Sequence, residues 1–154
     1  MKHKISIFIP VFNEERIIER DIKALDYVIK KIPVEYEIFI VNDSSKDRTK
    51  IIAKKIEQSN SKVTLLNYEI NPTRRENLAQ SFKKASGDII AFVDIDLIAS
   101  LRFLPELINQ IILGYDIATG NCRTPLPRKT TSGVPVAFGT TSPFASNYHE
   151  KLRF

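Results

Sequence analysis

A chain of 154 residues, 43% hydrophobic and 27% charged, has the composition of one ordinary globular domain able to bury a core of its own. Only 5 Gly, 8 Pro and a single cysteine, Cys122, exclude collagen-like, low-complexity and disulfide-scaffold classes as well as a multi-cysteine zinc site. The net charge of +5 is uneven: residues 1–118 are close to neutral, whereas residues 119–154 hold Arg123, Arg128, Lys129, Lys151 and Arg153 against Glu150 alone, which argues against nucleic-acid binding by the body and leaves a tail suited to phosphates.

Lys2, His3 and Lys4 precede Ile5-Ser6-Ile7-Phe8-Ile9, a run too short for a signal sequence and ended by Pro10, so it reads as a strand. Asn13 is placed to cap a helix with Glu14 and Glu15 in its first turn. Ile18, Ile22, Leu25, Ile29 and Ile32 then form a helical stripe that Pro33 stops. Glu37–Val41 predicts a second strand, Asn42–Ser45 a turn, residues 47–58 a helix burying Ile52 and Ile56, and Val63–Leu66 a third strand. Asn71–Thr73 reads as a loop, followed by a short helix with Leu78, Phe82 and Ala85 on one face and Gly87 as its stop. Asp88–Val93 reads as a buried central strand, Ser100–Leu113 as a helix stopped by Gly114, and Tyr115–Ala118 as a fifth strand.

Strands alternating with helices predict an α/β fold with a mainly parallel, Rossmann-like sheet and helices on both faces. The expected division is an α/β domain over residues 1–120. Residues 121–154, rich in Thr, Ser, Gly and Pro, read as loop and as the basic start of a further, truncated region. No stretch reaches the ~18–20 apolar residues of a membrane span. A lone thiol fits a reducing compartment, giving a cytoplasmic expectation.

Ligands of open parallel sheets bind at the carboxyl ends of the strands. Three strands here lead into polar residues: Pro10 to Glu14, Asn42-Asp43, and Asp94-Ile95-Asp96. Each alone reads as a cap or turn, but three on one edge would repel unless a cation or donors held them. Two carboxylates at i and i+2 after a buried strand can share Mg or Mn, which take few protein ligands plus phosphate oxygens.

Four blocks in order resemble the nucleotide-binding part of family 2 glycosyltransferases, closest to those acting on dolichyl or polyprenyl phosphates. They are Ile7–Glu15, Ile40–Thr49, Ala85–Ile90 and Phe92–Leu97. The resemblance implies an A-type glycosyltransferase fold, a UDP- or GDP-type nucleotide-diphosphate sugar as donor, and Mg or Mn as cofactor. It would place Pro10, Phe12 and Glu14 at the base pocket and Asp43 on the base or ribose. Asp94 would contact the nucleotide, with Asp94 and Asp96 as the metal site. Arg123 resembles the arginine of a Ser-Arg pair in lipid-phosphate members, although Cys122 replaces the serine. Asn42 and Ser44 stand where the family has an acid and a glycine. The stretch 71–77 has no glycine, so Arg74 and Arg75 either meet the diphosphate by side chain or form a solvated loop pair beside Glu76.

After Leu97 the acids are Glu106, Asp116 and Glu150 alone. The acceptor is therefore expected to be a phosphate such as a polyprenyl phosphate, or the base to lie on sequence beyond this chain. The basic tail, with Phe144, Tyr148, Leu152 and Phe154, suits peripheral contact with a membrane face or packing on a missing part of the domain. A non-catalytic nucleotide-binding fragment is the alternative. A phosphoacceptor signalling domain fits poorly, because Asn13-Glu14 and Gly120-Asn121 stand where it needs an acidic pair and a lysine.

Overall fold

The computed structural model describes residues 3–69, 74–96, 98–120 and 134–140, with backbone alone at 74–75, 98–100, 120 and 134–140. Strands β1 (Lys4–Val11), β2 (Glu35–Asp43), β3 (Val63–Tyr68), β4 (Ile89–Phe92), β5 (Ile117–Gly120) and β6 (Val134–Thr140) form one sheet in the order β3-β2-β1-β4-β6-β5. The first four pair in parallel, as the alternation of strands and helices requires. Strand β6 runs antiparallel between β4 and β5, in a stretch where the sequence predicted loop. Pro135 and Gly139 disguise it. Gly120 pairs with Val134 and Ala118 with Phe138, so Pro135 falls inside a register shift, where a strand tolerates a residue without an N–H.

Helices α1 (Ile18–Ile29), α2 (Thr49–Ser59), α3 (Arg74–Phe82) and α4 (Leu104–Ile112) cover the sheet. The period of two along β1 sorts the faces. Ile5, Ile7, Ile9 and Val11 join the core with Ile18, Ile22, Leu25 and Ile29 of α1, Ala53 of α2, and Leu104, Ile108 and Ile111 of α4. Phe8, Phe39 and Val41 meet Leu78 and Phe82 of α3 on the other face. Phe8 stacks on Phe39 at 4.8 Å between centroids and meets Phe82 edge-on at 4.9 Å. In α2 the small Ala53 takes the buried centre, with Ile52 and Ile56 packed at its margin.

The helix predicted over 100–113 divides into a 3₁₀ turn (Ile98–Phe103) and α4, with Pro105 in the first turn of α4. Gly114 stops α4 at φ 102. Gly87 does not stop α3, which ends at Phe82; it lies where the backbone approaches β1 so closely that a Cβ would stand 2.5 Å from Lys4 O. Gly87 N donates to Ser6 Oγ at 2.9 Å, and Ser6 Oγ donates to Glu37 Oε1 at 2.6 Å. Ser86 N reaches the same Glu37 oxygen at 2.8 Å. The Ala85–Ile90 block thus sits at the amino edge of the sheet, opposite the carboxyl edge, and ties β4 to β1 and β2.

Candidate functional site

Strand order reverses direction between β1 and β4, which opens a crevice at their carboxyl ends. Phe8 O accepts Val93 N at 3.0 Å, one step beyond the paired residues of β4. Pro10 follows two residues later, so its nitrogen faces the same side. Having no N–H, it cannot carry the ladder further, and the strands part there. Asp94, half-buried, and Asp96, exposed, follow directly on the β4 side of this opening. Phe12, 39% exposed, follows on the β1 side.

Hydrogen bonds join the loop after β1 to the loop after β2 and to Thr49, the first residue of α2. Asn13 N donates to Ser45 Oγ at 3.0 Å, and Asn13 Oδ1 accepts Lys46 N at 2.8 Å. Glu14 N donates to Thr49 Oγ1 at 2.7 Å, and Glu15 N to Asp47 Oδ2 at 3.1 Å. Glu15 Oε2 accepts Arg48 N at 2.9 Å. Asn13 therefore does not cap α1, which begins at Ile18; at φ 58 it makes the left-handed turn that brings the two loops together. Burial pushes the Asp47 carboxyl up, but the Thr49 hydroxyl and amide and the Glu15 amide outweigh it and hold its pKa below the ordinary aspartate value.

Asp43 ends β2 and accepts Asn77 Nδ2 at 2.7 Å. Asn42, 1% exposed, is bonded within the protein: its Nδ2 donates to Asn67 Oδ1 at 2.7 Å and its Oδ1 accepts Ser45 Oγ at 2.5 Å. An amide suits this position better than an acid, since it donates to one partner and accepts from the other. Ser44 adopts φ 56 where the resembled family has glycine, and both its amide and its hydroxyl donate to Tyr68 O at 2.9 Å.

At the carboxyl edge of the parallel strands, Pro10 lies near the end of β1 with Phe12 and Glu14 after it, Asp43 ends β2, and Asp94 and Asp96 follow β4. Arg74 and Arg75 open α3 rather than lying in a loop. Arg123 and the basic residues of the tail lie outside the described residues. Sequence reading did not single out Ser45, Asp47, Thr49 or Asn77. The signal for Asn77 was Asn77 and Ser81 at i and i+4, one position before Leu78 and Phe82 in the apolar stripe of α3.

A twisted sheet with helices on both faces and polar loops gathered at its switch point defines an α/β domain of the A-type glycosyltransferase fold. The sequence pattern of Glycosyl transferase family 2 matches residues 6–145, and the chain belongs to that family. It is 34% identical over 114 residues to the bactoprenol glucosyl transferase of Shigella phage SfV, covering 74% of this chain and 37% of that one. It is 34% identical over 122 residues to the dolichol-phosphate mannosyltransferase of Pyrococcus furiosus, covering 77% of this chain and 33% of that one. The crystal structure of glucosyl-3-phosphoglycerate synthase from Mycobacterium tuberculosis, in complex with Mn2+, UDP and phosphoglyceric acid, superposes with a TM-score of 0.59 at 28% identity. That match covers 75% of this chain and 41% of the synthase. The chain spans about a third to two-fifths of the length of the curated relatives it matches. Among the described residues no helix is long and apolar enough to cross a membrane.

Proposed function

We propose that this chain is the donor-binding part of a glycosyltransferase that takes a sugar from a nucleotide-diphosphate donor of UDP or GDP type and passes it to a polyprenyl phosphate. The observation that carries this reading is the pair Asp94 and Asp96 at the carboxyl end of β4, beside the opening that Pro10 makes. Two hard oxygen donors fit Mg or Mn. That is the donor set of an ion that keeps waters and takes its remaining oxygens from a diphosphate. Bound there, the ion would offset the charge that builds on the leaving diphosphate.

Asp43 contacts the base or ribose, while Pro10, Phe12 and Glu14 line the base pocket. Transfer forms a bond from an acceptor oxygen to the anomeric carbon and breaks the bond from that carbon to the diphosphate. A lipid phosphate oxygen is already an anion, so this acceptor needs no general base. The named relatives that act on bactoprenol and dolichol phosphate support that choice. The basic tail, with Arg123 at its start, meets phosphate at an anionic membrane face on the cytoplasmic side. Calorimetry with UDP and GDP, with Mn2+ and again with a chelator, tests the reading. Metal-dependent binding to either supports it, and binding to neither overturns it. Slow release of sugar from the donor into water separates a transferase from a fragment that only binds nucleotide.

A further inference from the structure

Asn77 belongs to none of the four sequence blocks, yet it is 2% exposed in α3 and reaches across 34 residues of sequence to Asp43. A buried amide is costly unless it is bonded, so the side chain that fills this position is set by its partner. A carboxylate only accepts hydrogen bonds, and the bond at 2.7 Å therefore fixes Asn77 Nδ2 towards Asp43 Oδ1. The turn of helix that carries Asn77 is itself held. Ser81 Oγ lies 2.7 Å from Asn77 O, which accepts its hydrogen, and 3.0 Å from Tyr68 OH on β3. The same Tyr68 accepts two hydrogen bonds from Ser44, the residue that follows Asp43. Asp43 is thus held through its backbone neighbour on one side and through its carboxylate on the other.

We propose that Asn77 is a positioning residue that aims the Asp43 carboxylate at the donor nucleotide. This rests on the reading of Asp43 as a base or ribose contact. A carboxylate at a strand end samples several rotamers, and one held by a buried donor meets its ligand already oriented. Asn77 also links the nucleotide site to α3, so the helix that opens with Arg74 and Arg75 is seated by the same bond.

The test is calorimetry of UDP and GDP in the presence of a chelator, using the 154-residue chain, Asn77→Ala, Asn77→Leu, Asp43→Ala and the Asn77→Ala/Asp43→Ala double variant. Losing the donor should weaken nucleotide binding about 10- to 150-fold, the range for a hydrogen bond to a charged partner. Asn77→Leu keeps the branched heavy-atom skeleton without a donor and favours the helix, so it carries the test should Asn77→Ala fail to fold. In the Asp43→Ala background, Asn77→Ala should cost nothing more, because its effect passes through that carboxylate. Equal affinity in Asn77→Leu, or losses that multiply in the double variant, overturns the positioning role while leaving Asp43 as the nucleotide contact. Unchanged affinity in Asp43→Ala overturns both.

Discussion

The backbone of Gly87 runs so close to that of Lys4 that a single added carbon would stand 2.5 Å from Lys4 O and 2.8 Å from Ser6 N. Both are backbone atoms, so neither can swing aside. Gly87→Ala should lower stability by about 1–3 kcal/mol, as overpacking of a buried site does. The site lies at the amino edge of the sheet, so whatever fraction folds should bind nucleotide with unchanged affinity. Chemical denaturation and calorimetry on the same sample check both halves.

Ser44 permits a sharper comparison. Its left-handed backbone costs a residue with a Cβ about 1–2 kcal/mol, and its hydroxyl recovers about 0.5–1.5 kcal/mol through Tyr68 O. Ser44→Gly should therefore change stability by less than about 1 kcal/mol. Ser44→Val, branched at Cβ and without the hydroxyl, should destabilise by about 2 kcal/mol or more. Denaturant midpoints at constant m-value would read this order, and a Val variant as stable as the parent would refute it.

Acid should loosen both edges of the sheet. Burial raises the Glu37 pKa, but the Ser6 hydroxyl, the Ser86 amide and Lys4 outweigh it, so the net shift is downward from 4.5. Asp47 at the other edge is likewise lowered from 3.8, with burial again the opposing influence. A carboxylate whose folded pKa is depressed adds stability that is complete above its unfolded pKa and is lost as pH falls through the folded one. Stability should hold down to about pH 5 and then decline. Glu37→Gln should flatten part of that decline in thermal unfolding followed between pH 6 and pH 3.

For the acid pair after β4, Asp96→Asn should remove most of the gain in UDP or GDP affinity that Mn2+ confers. It should leave metal-free affinity within about 2-fold of the parent, because the base and ribose contacts are untouched. A titration in which Mn2+ still raises affinity fully would move the cation elsewhere. Asp94→Asn should lose affinity both with and without metal, since Asp94 is assigned to the nucleotide as well as to the ion.

The parallel half of the sheet was legible in the sequence because strongly apolar runs such as Ile5 to Ile9, interrupted only by Ser6, and Ile89 to Val93 suit strands buried on both faces. The carboxyl-edge location of Asp43, Asp94 and Asp96 followed from that alone. Asn13 and Gly87 were misread for one shared reason. Local rules assign a polar residue or a glycine to its own helix, whereas their partners lie 32 and 81 residues away in sequence. Asn77 escaped notice because its value comes entirely from Asp43. Strand β6 was hidden by Pro135 and Gly139, tolerated in a strand that carries a register shift.

Inserting β6 between β4 and β5 has a consequence for how the chain matures. Among the described residues β5 hydrogen-bonds to β6 alone, and β6 is the later strand. Strands β1 to β4 can assemble from successive strand–helix–strand units, but β5 cannot enter the sheet until residues 134–140 have been made. During synthesis the exposed flank of β4 therefore waits, unpaired, through more than forty residues of elongation, on the order of 2–10 s at ribosomal speed. A nascent chain stalled just past Gly120 would show the Ile90 amide, on the flank of β4 away from β1, still exchanging with solvent, and one stalled well past Thr140 would show it protected.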